Sequence, residues 1–381
     1  MDFALSEEQR MFKDALHRFL LNTCPLERVR EFEEKELFPA DIWTGLADLG
    51  VMGLPFPLEY GGSNGTVLDF ALVCEELGWA MSSIAHMYTL SVLFGGESIL
   101  LFGSKEQQQF FLPRLCKGEI RFCGCLTEPN AGSDLASLST TATARGDHYL
   151  VNGSKIFTTG AHVADYGLLV ARTDRDAPKH KGISTFMIDM HLPGITVRPL
   201  RHLGCMSVHT NEVFFENVRI PREALLGEPN RGFYQIMLML DVERIVTGAM
   251  GVGLAQRTFE YALEYAKERS QFGRPIGRFQ ALQHTFAQLA SEIHAARLAV
   301  YQAGWLKGNG NGCPRESCMA KLLGTEVSKK MALEGLQIMG GYGYMMEYEM
   351  QRFLREAVLG TIVAGTSEIM KNVISHTYGL G

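Results

Sequence analysis

Three charged residues interrupt an otherwise apolar or small run near the middle of the chain. The stretch LMLDVERIVTGAMGVG, residues 238–253, holds Asp241, Glu243 and Arg244 within one turn. On a helix, Asp241 and Glu243 point to nearly opposite sides, so both cannot face water if the helix is central. A lone buried carboxylate is costly, and it is therefore paired, protonated or functional. On these residues alone, a salt bridge at a domain junction and a catalytic carboxylate both remain open.

Four further segments combine polar side chains with glycine. CGCLTEPNAGSD (123–134) suits a polar or anionic ligand, and KIFTTGA (155–161) pairs an aromatic ring with hydroxyls that could hold a flat heterocycle. QIMGGYGYM (337–345) permits close backbone approach, and AGTSEIM (364–370) resembles a helix start that can hold phosphate. A polar turn, a half-buried strand and a plain helix cap compete with these readings. No segment has the glycine spacing of a Rossmann fold or a Walker A loop.

Composition excludes several classes of protein. The chain has 381 residues, 46% of them hydrophobic and 20% charged, which is an ordinary globular balance. A net charge of −6 without a Lys/Arg tract argues against nucleic acid as partner. No uninterrupted apolar run reaches the roughly 20 residues of a membrane span. The start has no signal peptide, and Ser6 and Gln9 predict a capping box, so we expect a cytoplasmic protein or a mature mitochondrial-matrix form. Metal-site cysteine spacing is missing, which favours cysteines used as small apolar residues.

The elements that must position these segments fall into three zones. Residues 1–120 show helical periodicity, and residues 121–228 show short β-branched and aromatic runs between turns. Residues 229–381 return to helical periodicity. No long helix interrupts the middle zone, so we expect an antiparallel sheet there rather than a βαβ sheet.

The segments, in this order, resemble the acyl-CoA dehydrogenase family of flavoproteins along essentially the whole chain. The resemblance implies an α+β multidomain fold: an N-terminal all-α domain (1–120), a middle antiparallel β domain (121–228) and a C-terminal four-helix bundle (229–381). It also implies FAD between the β domain and the bundle, and a homotetramer built as a dimer of dimers. The matching stretches are PLEYGG (57–62), LTEPNAGSD (126–134), GSKIFTTGA (153–161), ERSQFGRPIGRFQ (268–280), QIMGGYGY (337–344) and AGTSEIMK (364–371).

The resemblance implies a set of cofactor-binding residues. Thr159 would lie near flavin N5, and Phe157 stands where Trp is more common. Arg269 and Gln280, with the segment 337–341, would hold the ADP half of an FAD bound mainly by the partner subunit, and a permanently charged bidentate donor suits its diphosphate. The full set is Cys125, Leu126, Thr127, Ser133, Phe157, Thr158, Thr159, Arg269, Gln271, Phe272, Gln280, Gln337, Ile338, Gly340, Gly341, Thr366 and Glu368.

The resemblance also implies which carboxylate removes the substrate α-proton. Most relatives carry that carboxylate just before the Gly-Thr of the last loop, where this chain has Ala364. A subgroup that includes isovaleryl-CoA and long-chain acyl-CoA dehydrogenases supplies it from a central D-x-E-R turn, which predicts Glu243 as the base. Asp241 and Arg244 would orient Glu243 or contact the thioester arm. Ser133, Ala364 and Gly365 would complete the substrate site, with a backbone N–H near Ala364 stabilising the enolate oxygen.

The implied activity is FAD-dependent oxidation of an acyl thioester to a trans-2-enoyl thioester, with electrons passed to an electron-transfer flavoprotein. Large side chains in the segment 88–97 favour a short or branched acyl group; they are Tyr88, Leu90, Leu93 and Phe94.

Two alternatives stay open. Met206 and Val208 stand where relatives often have Arg and Ser or Thr, so an acyl-carrier-protein substrate or a carnitine-type CoA ester is possible, in either direction. A flavin-free assembly protein is the non-enzymatic alternative.

Overall fold

The N-terminal part of the chain is helical, as predicted. The computed structural model describes residues 4–380, so residues 1–3 and 381 of the predicted ranges lie outside it. The Ser6 hydroxyl oxygen accepts a hydrogen bond from the Gln9 N–H (3.1 Å), and the Gln9 side-chain oxygen accepts one from the Ser6 N–H (3.1 Å), which confirms the capping box. The helices are α1 (Glu7–Thr23), α2 (Leu26–Glu34), α3 (Ala40–Asp48), α4 (Val67–Ala80), α5 (Ser82–Thr89), α6 (Ser98–Phe102) and α7 (Lys105–Cys116).

A continuous helical rod crosses the molecule from Ser82 to Phe102. Between α5 and α6 it passes through a π-helical stretch, Leu90–Glu97. The rod is long and apolar enough to cross a membrane by length and composition, but 72% of its apolar window is buried inside the protein. The Thr89 and Ser98 hydroxyls contact the sulfurs of Met250 (3.6 Å) and Met239 (3.3 Å) on the long helix α8 (Gly232–Glu268). The rod is therefore a core element that runs antiparallel to α8.

The middle of the chain forms one eight-stranded sheet. Its strands are β1 (Phe122–Cys125), β2 (Thr141–Arg145), β3 (His148–Thr159), β4 (Tyr166–Arg172), β5 (Ile183–Asp189), β6 (Ile195–Pro199), β7 (Thr210–Pro221) and β8 (Leu225–Leu226). Seven of them lie in the order β6–β7–β3–β2–β4–β5–β8. Most pairs are antiparallel, as predicted, but β1 pairs with β4 in parallel and β2 meets β4 in parallel at one position. The sheet is therefore mixed, because the β2–β3 hairpin lies between β1 and β4 in the chain and lets β4 return in the same direction.

The C-terminal part is built on α8 and four more helices: α9 (Gln280–Gly308), α10 (Pro314–Met339), α11 (Met350–Gly360) and α12 (Ser367–Thr377). A small hairpin, β9 (Ser270–Gln271) with β10 (Arg274–Pro275), joins α8 to α9. Glycines let α8 and α10 touch backbone to backbone. A Cβ on Gly248 would lie 2.6 Å from the Ala320 carbonyl oxygen, and one on Gly324 would lie 2.3 Å from that of Gly248.

The eight cysteines are buried and free. The Sγ atoms of Cys123 and Cys125 lie 3.9 Å apart, well beyond the ~2.05 Å of a disulfide. This agrees with cysteines used as small apolar residues. Within residues 4–380 no group of three or more His, Cys, Asp or Glu side chains could hold a metal ion.

Candidate active site

Glu243 lies deep in the protein but keeps part of its surface accessible, so it is not sealed in the packed core. Among residues 4–380 no group donates a hydrogen bond to its carboxylate. Burial raises the pKa of Glu243 to about 7, against the opposing charges of Arg244 and Lys321. A carboxyl group with these properties can exchange a proton near neutral pH.

Asp241, two residues earlier on α8, is fully engaged. Its carboxylate accepts a hydrogen bond from the Ser317 hydroxyl (2.9 Å) and lies 3.5 Å from Arg244 Nη1 and 3.6 Å from Lys307 Nζ. The salt bridge that the sequence left open therefore belongs to Asp241, not to Glu243. Arg244 is held by Asp241, and its buried Nε has no partner within the described chain.

The loop before α12 is tied to α10 through Lys321. Ala364 and Gly365 both adopt left-handed backbone conformations, with φ of +55° and +81°. Lys321 Nζ donates a hydrogen bond to the Gly365 carbonyl oxygen (2.8 Å). The Ala364 N–H has no acceptor in the described part of the protein, so it is free to bind an oxyanion. The Thr366 hydroxyl accepts a hydrogen bond from the Ile369 N–H (3.3 Å) and so caps α12. The plain helix cap, which the sequence left open as an alternative to phosphate binding, is therefore present.

Phe157 and its neighbours lie at an irregularity of β3. The register with β7 shifts between Lys155 and Thr158, and Phe157 takes a left-handed φ of +57°. Its ring is 63% exposed, although it belongs to a strand. The Thr158 hydroxyl is buried and has no hydrogen-bond partner in the described part of the chain, and the Thr159 hydroxyl lies 3.3 Å from that of Thr210. A strained, exposed aromatic residue is a feature that clusters at ligand sites.

A buried ion pair fixes the 123–134 loop against β3. Lys155 Nζ lies 2.8 Å from Glu128, which also accepts the N–H groups of Ser139 and Thr140. Burial opposes ionisation here, but Lys155 and these donors lower the pKa of Glu128 to about 2. The Cys125 side chain points inward to Cys123, so it offers a ligand only its backbone.

The remaining residues of this loop are more open. Leu126 and Thr127 are half-buried, and Ser133 is exposed.

A cleft of about 580 Å³ lies at the C-terminal end of α8. Arg269 stands at its edge with its guanidinium 5.3 Å from the centre of the Tyr342 ring. Gln337, Phe272 and Gln280 do not line this cleft, and all three are exposed. The cleft is lined by Tyr265, Arg269, Gln271, Ile276, Ile338, Met339, Gly340, Gly341, Tyr342 and Met345.

Taken separately, these two surfaces suit the two ends of a long cofactor, a flat ring and an anionic group. Phe157 has an exposed aromatic ring, and the Thr158 hydroxyl makes no hydrogen bond within the described residues, so both could contact a ligand. At the other end Arg269 supplies positive charge, and a Cβ on Gly340 or Gly341 would meet only open space. FAD has this combination of groups.

The structure changes the expectation for the acyl pocket. Tyr88 is fully buried, and its hydroxyl donates to the Val51 carbonyl oxygen (3.1 Å) in the N-terminal core. Tyr88 therefore does not narrow a substrate pocket. Leu93 and Phe94 are also buried, and Leu90 is half-buried.

Of the two departures near residue 206, Met206 is half-buried. The Met206 N–H donates to Glu33 (2.5 Å), and Val208 is fully buried.

Sequence reasoning missed two ionisable groups at this site. Lys321 is completely buried on α10, and Glu97 lies deep on the rod with its pKa raised to about 7 by burial, against the charge of Lys307. Lys321 follows a buried alanine in a helical pattern, and Glu97 is the one acidic residue in the run Ser82–Phe102. Each is a charged residue at a position where the helical pattern calls for an apolar one, and this feature could have identified both from the sequence.

Comparison with known proteins agrees with the geometry. The N-terminal, middle and C-terminal domain models of acyl-CoA dehydrogenase match residues 6–119, 123–218 and 230–378. A probable acyl-CoA dehydrogenase of Bacillus subtilis (strain 168) is 38% identical over 99% of both chains. The subunit CarC of the caffeyl-CoA reductase-Etf complex of Acetobacterium woodii is 36% identical over 97% of this chain and 98% of its own.

A solved structure shows the same arrangement of elements. The butyryl-CoA dehydrogenase of Megasphaera elsdenii superposes with a TM-score of 0.95 at 34% identity, over 99% of this chain and 100% of that one. Identity and coverage of this extent establish more than a shared fold. The chain therefore belongs to the acyl-CoA dehydrogenase family of FAD-dependent oxidoreductases.

Proposed function

We propose that the protein oxidises an acyl-CoA thioester to the trans-2-enoyl thioester, with Glu243 removing the α-proton. The observation that carries the proposal is the state of Glu243: a buried carboxyl with a raised pKa and no hydrogen-bond donor among residues 4–380. Ala364, in the loop beside it, has no group that could accept a proton. This pairing supports membership of the subgroup with its base on the central helix.

The surrounding residues suit the chemistry of an enolate. An α-proton of a thioester is weakly acidic, so the oxygen that gains charge must be stabilised as the proton leaves. The unpaired Ala364 N–H is the donor that the protein supplies for that oxygen. Arg244, oriented by Asp241, adds positive charge beside Glu243 and opposes part of the rise in its pKa.

FAD, when bound, supplies the acceptor for the hydride that leaves the β-carbon. Phe157, Thr158 and Thr159 would hold its ring, and the cleft around Arg269 and Gly340 would hold the diphosphate of an FAD shared between subunits. The exposed hairpin residue Phe272 and the exposed Gln280 would then reach the partner's cofactor. We infer a homotetramer, a dimer of dimers, on this basis.

Glu97 is the competing carboxyl, because its pKa is raised as far and it too accepts no hydrogen bond within the described chain. Its surroundings differ from those of Glu243. The cation that acts on Glu97 is Lys307, which lies 3.6 Å from Asp241. Glu243 is instead the carboxylate that acts most strongly on Lys321, whose ammonium holds the loop with the free Ala364 N–H. Glu243 is therefore the carboxyl beside the oxyanion donor.

A short or branched acyl-CoA is the proposed substrate, and an electron-transfer flavoprotein the proposed acceptor. Similarity to butyryl-CoA dehydrogenase and to a subunit of a caffeyl-CoA reductase-Etf complex supports both choices. Similarity to the subunit of the caffeyl-CoA reductase-Etf complex also makes reduction of an enoyl-CoA the second candidate activity. A cytoplasmic location remains our expectation.

Anaerobic titration of the FAD-loaded protein with a panel of saturated acyl-CoA esters tests the function. We expect short or branched esters to bleach the visible flavin absorption, with the enoyl-CoA product identified by mass spectrometry. If only acyl groups bound to acyl carrier protein bleach the flavin, the substrate is carrier-bound and is not an acyl-CoA. A protein that binds FAD but reacts with neither class would overturn the proposal.

A further inference from the structure

Lys321 is a buried cation that the proposed reaction has not yet used. Its side chain is 0% exposed, and it makes one hydrogen bond, from Nζ to the Gly365 carbonyl oxygen (2.8 Å). An ammonium group has three N–H donors, so two of them have no acceptor in the described chain. Lysine is almost never fully buried without a paired charge. A single neutral acceptor does not account for its position.

The packing of α8 against α10 places Lys321 where it is. Close backbone contact between Gly248 and the Ala320–Lys321 peptide leaves no room for side chains between the helices at this level. The stem of Lys321 therefore follows the seam between the helices. Its ammonium reaches the loop that holds Gly365.

The charged groups around Lys321 are few. Burial lowers the pKa of Lys321 to about 8, and carboxylates on three helices oppose this: Glu243 on α8, Glu326 on α10 and Glu368 on α12. Glu243 has the largest effect of the three. Glu326 already accepts a hydrogen bond from the Ser367 hydroxyl (2.5 Å), and Glu368 is exposed. Arg244 is the other cation that acts on Glu243.

We propose that Lys321 is a positioning residue of the reaction: its ammonium fixes the Gly365 carbonyl so that the free Ala364 N–H faces the thioester oxygen, and its charge keeps Glu243 ionised in a buried site. The inference rests on the proposed function of Glu243. The left-handed backbone at Ala364 needs such a restraint, because a non-glycine residue in this region is strained. One side chain thus couples the proton acceptor to the oxyanion donor.

The sign of the expected effect follows from the charge. A nearby cation favours the carboxylate, so loss of the cation raises the pKa of Glu243 further. Because the base must be ionised, the rising limb of the pH–rate curve then moves to higher pH. Above about pH 8, Lys321 itself loses its proton, so the part of the difference that its charge causes disappears there, and a pH-independent loss from the missing Gly365 hydrogen bond remains. A purely structural role would instead lower the rate by the same factor at every pH.

The test is the pH dependence of anaerobic flavin reduction by an acyl-CoA in three FAD-loaded proteins: wild type, Lys321→Met and Lys321→Arg. We expect the rising limb of Lys321→Met to move up by about 1 pH unit or more, and that of Lys321→Arg to stay near wild type. FAD content and unfolding temperature of each protein are measured alongside. If Lys321→Met does not fold, Lys321→Gln, which keeps a donor for Gly365 but no charge, must show the same shift.

Two results are decisive for the inference. An unchanged limb in a folded, uncharged variant would overturn the electrostatic role, whatever its rate. A wild-type protein that no acyl thioester reduces would instead refute the proposed function, so the two failures are distinguishable.

Discussion

Asp241 and Glu243 stand two residues apart on α8, and their surroundings assign them different tasks. Asp241 has three polar partners and serves to hold Arg244 and the start of α10. Glu243 has no hydrogen-bond donor in the described chain, and its pKa is raised to about 7. A protein gains no stability from such a carboxyl, so its retention at this position agrees with a role in proton transfer.

Glu243→Gln should stabilise the protein at alkaline pH. A carboxyl whose pKa is higher in the folded state than in the unfolded state contributes fully below its unfolded value of 4.5, and the contribution disappears as pH rises through about 7. At pH 8 the amide therefore avoids a cost of up to ~3 kcal/mol. Thermal unfolding at pH 5 and pH 8 checks this, with FAD saturating. An equal unfolding temperature for variant and wild type at pH 8 would contradict the raised pKa.

A carboxylate at residue 364 should partly replace the one at residue 243. In a Glu243→Gln background, Ala364→Glu adds an acid in the loop that Lys321 holds, and it adds little backbone strain because Ala364 is already left-handed. We expect about a tenfold gain in flavin reduction, a fraction of the roughly 10²–10⁴-fold that a general base supplies. Val363→Glu in the same background is the control and should give no gain.

At the scale of elements, the α8–α10 seam determines the distance between base and loop. Gly248→Ala would push a methyl group to 2.6 Å from a backbone carbonyl oxygen that cannot move without shifting α10. We expect a loss of about 1–3 kcal/mol in unfolding free energy, which exceeds the gain from replacing a helical glycine. Gly312→Ala is the control, since its Cβ would meet nothing within 4 Å. Denaturant unfolding of both variants measures the difference, and equal stability would refute the tight seam.

The elements also show where sequence reasoning succeeded. The capping box at Ser6, the order of helices and strands, and the long helix that carries Glu243 follow from local patterns. The parallel pairing of β1 with β4 does not, because pairing direction depends on how distant segments meet. Likewise, the groups that surround Lys321 come from α8 and the loop at Gly365, which are far from it in sequence. The burial of Tyr88 also depends on a distant residue, because its hydroxyl donates a hydrogen bond to the Val51 carbonyl oxygen.

At the scale of the whole molecule, the β9–β10 hairpin extends an apolar ring into solvent. Phe272 and Gly273 form its turn with φ of +52° and +77°, and the Phe272 ring is 93% exposed. A tight hairpin turn of this type favours Asn-Gly, so phenylalanine here is both strained and exposed. A neighbouring subunit that buries the ring would offset both costs.

Phe272→Ser should therefore weaken assembly and FAD retention together. We expect wild type to have four times the chain mass of 42.3 kDa by light scattering, and the variant to dissociate on dilution and release FAD. Phe110→Ser removes a half-exposed ring from α7 and is the control, which should keep both properties. A monomeric wild type with full FAD content would contradict a cofactor shared between subunits.

The central claim, that Glu243 is the base, is tested most directly by anaerobic single-turnover reduction with an acyl-CoA that the wild type oxidises. Glu243→Gln and Glu97→Gln are compared, because the two carboxyls share a raised pKa and differ in their neighbours. We predict that Glu243→Gln keeps FAD but reduces it about 10²–10⁴-fold more slowly, while Glu97→Gln stays close to wild type. The assignment would be contradicted if Glu243→Gln reduced its FAD at the wild-type rate, or if only Glu97→Gln lost this activity.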